Sequence, residues 1–206
     1  MHEKNRDTSE QSEESSLGLR LKSKVNAIDY RVEVIKQNTN NKVSTNTEGE
    51  QFDVEVGYTL ADLKNLRIGA EWFKASKDFD QGYPLAHAYL GIVDVLGRRN
   101  VEGYAGHLSL KPLDELNIVF DYHKFKRGNT GAEAYSTGQV AYSPEATSNT
   151  DDLGSEMDLV FKYTPVKNSI IFLGGGIFKA GKYFKDAHHR NDDDVKFAFL
   201  QYLVKF

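Results

Sequence analysis

The sequence predicts an all-β chain, an antiparallel transmembrane β-barrel of about nine strands. Three observations predict it. Apolar and polar residues alternate with a period of two through most of the chain. The connections between these runs alternate between short and long. No run approaches the ~20 apolar residues of a membrane helix, so only alternating strands could present a face to lipid. Mean hydropathy is −0.55, as expected when each strand has one polar face. The 206 residues carry a net charge of −4 and no cysteine. Disulfides and thiolate metal sites are therefore excluded, and no general attraction to nucleic acid is expected.

Residues 1–16, "MHEKNRDTSEQSEESS", are polar and charged, without the apolar centre of an export signal. They read as a disordered lead-in, leaving 17–206 as the barrel segment. "LGLRLKSKV" (17–25) places Leu17, Leu19, Leu21 and Val25 opposite Arg20, Lys22 and Lys24. "IDYRVEV" (28–34) sets Ile28, Tyr30, Val32 and Val34 against Asp29, Arg31 and Glu33. "QFDVEVGYTL" (51–60) and "LRIGAEW" (66–72) repeat the pattern, with Asp53, Glu55, Arg67 and Glu71 on the polar face. "YAGHLSLK" (104–111), "LNIVFDYHKF" (116–125), "EMDLVFKYT" (156–164) and "SIIFLGGGIFK" (169–179) follow, then the terminal "VKFAFLQYLVKF" (195–206). Each run has roughly 8 to 12 residues, the length a tilted membrane strand needs.

Short turns fall near Asn26 and at 61–65, 111–115 and 164–168; long polar loops fall at 38–50, 75–100, 127–153 and 180–194. Short turns on one side and long loops on the other are the layout of a barrel with periplasmic turns and external loops. The strand–turn–strand unit recurs in "YTLADLKNLRI", "LKPLDELNI" and "YTPVKNSII", a repeated hairpin. A soluble antiparallel barrel binding a small apolar ligand also alternates, but gives no reason for this asymmetry of loop length. Tyr58, Trp72, Tyr104, Tyr122, Tyr163 and Tyr202 stand in or at the ends of strands, where girdle aromatics belong.

The loop "FDQGYPLAHAYLGIVDVLGRRNVEG" (79–103) carries Phe79, Tyr83, Pro84, His87, Gly91, Asp94 and Asn100 in one block. This block resembles one in the alginate-export-type outer-membrane porins. "LSLKPLDELNIVFDYHKF", "DDLGSEMDLVFKYTPVKNSIIFLGGGIFKAGKYFKD" and "FAFLQYLVKF" are similar to later segments of that family, in the same order. The resemblance implies a channel in the bacterial outer membrane, with outer-membrane lipid and the barrel-assembly machinery as partners. It also implies that Tyr202, Val204 and Phe206 form the terminal strand that this machinery reads. Family members are barrels of about twice this length, and bacterial barrels have even strand counts. The chain is therefore expected to be the C-terminal half of a larger barrel. The alternative is that the first strand is peripheral and the remaining eight close into a small barrel with a filled, non-conducting interior.

Catalysis is not expected: no serine occupies a G-x-S-x-G elbow, and no cysteine exists. His87 and Asp94 could line a pore mouth, or simply satisfy loop backbone groups. "DAHHRNDDD" (186–194), and Asp151, Asp152, Glu156 and Asp158, contain metal-ligating residue types. Neither has ligand spacing, so no metal and no cofactor is expected. "FLGGGIF" (172–178) lacks a phosphate-loop pattern and suggests curvature or the close approach of a neighbour. The solute pathway is expected on the polar face, at Arg20, Lys22, Arg31, Arg67, His107, His123 and Lys162. Asp29, Glu33, Asp53, Glu55, Glu71, Asp121 and Asp158 share that face. These charges could admit polar or anionic solutes, or pair across strands and only brace the wall.

Overall fold

A computed structural model describes residues 2–4, 12–41, 45–82, 89–142, 149–186 and 193–205. Ten strands form one sheet in sequence order, every neighbouring pair antiparallel. They are β1 (His2–Lys4), β2 (Ser12–Val25), β3 (Ile28–Asn41), β4 (Thr47–Leu60), β5 (Leu66–Ala75), β6 (Val101–Leu113), β7 (Leu116–Arg127), β8 (Asp152–Tyr163), β9 (Ser169–Ala180) and β10 (Val195–Val204). One short helix, α1 (Lys182–Asp186), interrupts the last long connection. Apart from β1, each strand has 10 to 14 residues, longer than the ~5–6 usual in soluble sheets.

Three tight turns carry an asparagine, which tolerates positive φ: Asn26 (55°), Asn65 (53°) and Asn168 (68°), with Lys64 (57°) sharing the conformation beside Asn65. Strand alternation then sorts the two faces. Leu17, Leu19 and Leu21 lie outward and are 81, 74 and 55 % exposed, whereas Asp53 is wholly buried on the concave side. An apolar face left uncovered while carboxylates are buried is the inverse of a soluble barrel. Outward aromatics form two belts, with Tyr58, Tyr163 and Tyr202 near the turn end and Trp72, Tyr104 and Tyr122 toward the loop end.

Three features differ from expectation. The ladder begins at Ser12 and includes His2–Lys4, inside the stretch read as lead-in, because Glu13 to Ser16 pair with Gln37 to Asn40. The connection expected over 38–50 shrinks to 42–46, because β3 and β4 continue past the apolar band as a polar ladder that includes a Lys36–Glu48 ion pair at 3.4 Å. The small eight-stranded barrel does not form. Both edges of β3 are taken, by β2 and β4, and no ladder joins β10 to β3 or β1 among the described residues.

The core sits on the concave side at the loop end. Phe73, Phe125 and Phe178 project inward from β5, β7 and β9, with ring centroids 6.0 and 6.2 Å apart in sequence. The long connections fold over them and contribute Phe79, Leu90, Leu96, Ala134, Tyr183 and Phe184. Asn100 locks two connections together. Its side-chain amide donates to the carbonyls of Asn129, Ala132 and Glu133, and its Oδ1 accepts the Asn129 amide. At the base of β8 the register shifts between Phe125 and Lys126, and Gly154 takes φ 124° there, a bulge conformation suited to glycine.

Candidate functional site: the charged inner wall

The strand registers place the polar residues of β2 to β8 on one concave surface. Arg31 Nη2 lies 3.1 Å from Asp53 Oδ1, 3.2 Å from Glu55 Oε2 and 3.2 Å from Glu71 Oε1. Arg67 donates to Asp29 Oδ2 at 2.9 Å and to Glu55 Oε1 at 2.7 Å. His107 sits between two acids, Nδ1 at 2.7 Å from Asp121 and Nε2 at 2.9 Å from Glu71. His123 stacks on Phe125 and lies 3.8 Å from Asp158. Burial raises the cost of leaving any of these charges alone, so the wall is assembled as a network.

The connection between β5 and β6 crosses this wall. Gln37 of β3 exchanges two hydrogen bonds with the Asp80 backbone, at 2.5 and 2.8 Å. On the far side, the amides of Ile92 and Val93 donate to Asp158 Oδ2 at 3.3 Å and Glu156 Oε1 at 2.8 Å. Arg98 reaches down to Asp53 at 2.5 Å. Tyr89 is held between two guanidiniums, those of Arg98 at 4.9 Å and Arg31 at 5.3 Å. Gly91 explains its place in the sequence block: φ is 90°, and a Cβ would fall 2.2 Å from the Glu156 carboxylate. Between connection and wall lies a polar cavity of about 300 Å3, lined by Arg20, Lys22, Arg31, Tyr89, His107 and Asp121 among others.

The expected pathway residues divide into two sets. Arg31, Arg67, His107 and His123 each meet a carboxylate of the wall. Arg20, Lys22 and Lys162 remain exposed. Arg20 touches Glu33 at 3.4 Å and the Tyr89 hydroxyl at 3.5 Å; Lys22 makes no ion pair among the described residues. Lys162 lies away from the cavity, over the Phe172 ring at 5.9 Å. Asp94 has φ 59°, and its carbonyl accepts from Thr137 at 2.5 Å. Tyr83, Pro84, His87 and Phe206 lie outside the described residues, as do His188, His189 and Asp192. Tyr202 and Val204 face outward on β10. Asp151 and Asp152 pair with Lys126 and Lys124.

Sequence reasoning missed Arg98, Tyr89 and Glu156 as members of this site. The available signal was the length of the 76–100 connection, since loops beyond about 12–15 residues usually have a function of their own.

The comparison with curated proteins finds no match. Among solved structures, the chain is similar to the outer membrane channel DcaP of Acinetobacter baumannii, with 15 % identity and a TM-score of 0.50. The match covers 97 % of this chain and 53 % of that one, so the chain spans about half the length of the channel. Residues 1–198 match the protein family described as alginate export, reaching well upstream of the 79–206 stretch that carries the resemblance in sequence and ending eight residues before it does. Family and fold place the chain in the bacterial outer membrane. With its alternating strands, exposed apolar belt and charged inner wall, the chain belongs to the alginate export family.

Proposed function

We propose that the chain supplies wall and constriction for a porin-like channel that passes polar or anionic solutes without chemical change. The observation that carries this reading is the polar cavity between the inner wall and the inward-folded 76–100 connection, where Arg20 and Lys22 remain exposed. Arg31, Arg67 and His107 are each held by two or more carboxylates. Arg20 has one such contact, Glu33, and Lys22 none among the described residues, so these two bias the field a solute meets. The family description names alginate export, and an anionic polysaccharide would meet this cationic edge first. The long connections face outside the cell and the tight turns face the periplasm. Tyr202, Val204 and Phe206 form the C-terminal sequence signal that the barrel-assembly machinery reads.

Planar-bilayer recording tests the reading. Reconstituted protein should conduct, and Arg20→Glu with Lys22→Glu should move the reversal potential in a salt gradient toward cation preference. Absence of conductance, or a reversal potential indifferent to both substitutions, overturns it.

A further inference from the structure

The outward face of β7 to β10 holds a feature unused by solute passage. Here the register sets Phe120, Leu159, Gly175 and Ala198 side by side across four strands. Gly175 has no side chain and Ala198 only a methyl, so the lipid-facing surface dips. An apolar furrow of about 440 Å3 runs there, walled by Phe120, Met157, Leu159, Leu173 and Ile177. Lys196 also lines it, paired in register with Ile177 toward the loop end. One step further toward the loops, Lys124, Ser155 and Lys179 lie side by side on the same face. Lys124 is held by Asp152 at 2.5 Å and Lys126 by Asp151 at 3.5 Å. Lys179 and Lys196 are exposed and make no ion pair among the described residues. The nearby Asp194 accepts the Ala180 amide.

We infer that this furrow binds one lipid of the outer leaflet, an acyl chain along Gly175 and a phosphate on the Lys179 and Lys196 ammonium groups. An apolar channel ending at two cations that are unpaired among the described residues, on a lipid-facing surface, is complementary to an amphiphile with an anionic head. A polar solute is excluded by the furrow walls, and a neutral lipid leaves both lysines unpaired. Ser155, between Lys124 and Lys179, offers a hydroxyl to the same phosphate. The assignment to the outer leaflet rests on the channel orientation proposed above, with the long connections outside.

The test is retention of bisphosphorylated lipid A by the folded chain in detergent micelles, followed by native mass spectrometry and titration. Wild-type chain should hold it, and fully dephosphorylated lipid A with the same acyl chains should bind far less. Lys179→Ala with Lys196→Ala should weaken the phosphorylated lipid about thirtyfold, the effect expected for two lysines at an anionic lipid surface. Lys179→Arg with Lys196→Arg should keep it, which separates lost charge from lost folding. Equal retention of the two lipids, or no loss in the double alanine variant, overturns the site and leaves the channel reading intact. Orientation is read separately. The chain has no cysteine, so Thr130→Cys, in an exposed stretch of the 128–151 connection, reports labelling from outside intact cells. Failure to label overturns the orientation, and the outer-leaflet assignment with it.

Discussion

Arg31 is one cation among three acids, and that ratio decides what its loss would do. Arg31→Ala would leave Asp53, Glu55 and Glu71 facing one another with Arg67, Arg98 and His107 as their ion-pair partners among the described residues. Stranding buried charge typically costs about 3–5 kcal/mol. The variant should unfold at clearly lower urea, with the only tryptophan, Trp72, as a fluorescence reporter. Lys22→Ala, which removes no ion pair among the described residues, should leave the midpoint in place. Gly154 makes a backbone counterpart. A Cβ there would fall 2.2 Å from the Lys179 carbonyl oxygen, at φ 124°. Gly154→Ala should therefore cost at least about 1–3 kcal/mol by the same measurement. That these positions matter was only partly legible. Alternation placed Arg31 on the inner face, because side chains in a strand have no other choice. Which acids it would meet depends on the registers of β3, β4 and β5, which no local pattern states.

At the scale of elements, the strands were legible and the connections were not. Period-two alternation and Asn-bearing turns are local signals and recover β2 to β10 with errors only at their ends. The inward fold of 76–100 depends on distant partners, Gln37, Asp53, Glu156 and Asp158. "FLGGGIF" lies between. Close approach was the right expectation, but its cause is tertiary: a Cβ on Gly174 would meet the Phe199 ring at 2.7 Å, and on Gly176 the Val93 side chain at 2.8 Å. The connections can also be probed chemically. The Tyr142 hydroxyl donates to the Val95 carbonyl, and burial pushes its pKa up to about 12. An unfolded phenol ionises near ~10, so this contribution is whole below that pH and is lost as the pH climbs through about 12. Amide-exchange protection at Gly97, which bonds the Tyr135 carbonyl, should fall over that window in wild type. Tyr142→Phe should start lower, by roughly 1 kcal/mol, and lack the alkaline step.

For the whole molecule, the edges that β1 and β10 leave unpaired among the described residues coexist with a sequence order in which every strand pairs with its neighbours in the chain. Such a sheet can be assembled hairpin by hairpin, and β10 offers the terminal ladder. Phe206→Ala should therefore lower the amount of heat-modifiable, folded chain recovered in outer membranes. Unchanged recovery would count against Tyr202, Val204 and Phe206 as an assembly signal. The sequence announced the sidedness of the molecule through loop lengths, which are countable, but not how far the sheet bends, which is not.

The crossing connection bears on that bend. Residue 80 is fastened to β3 and residues 92 and 93 to β8, so one connection is tied at two points that lie an arc of six strands apart. Its length in residues limits how far apart β3 and β8 can stand. Lengthening it would let the wall flatten and shortening it would tighten the curve, so this connection also serves as the gauge to which the sheet is built.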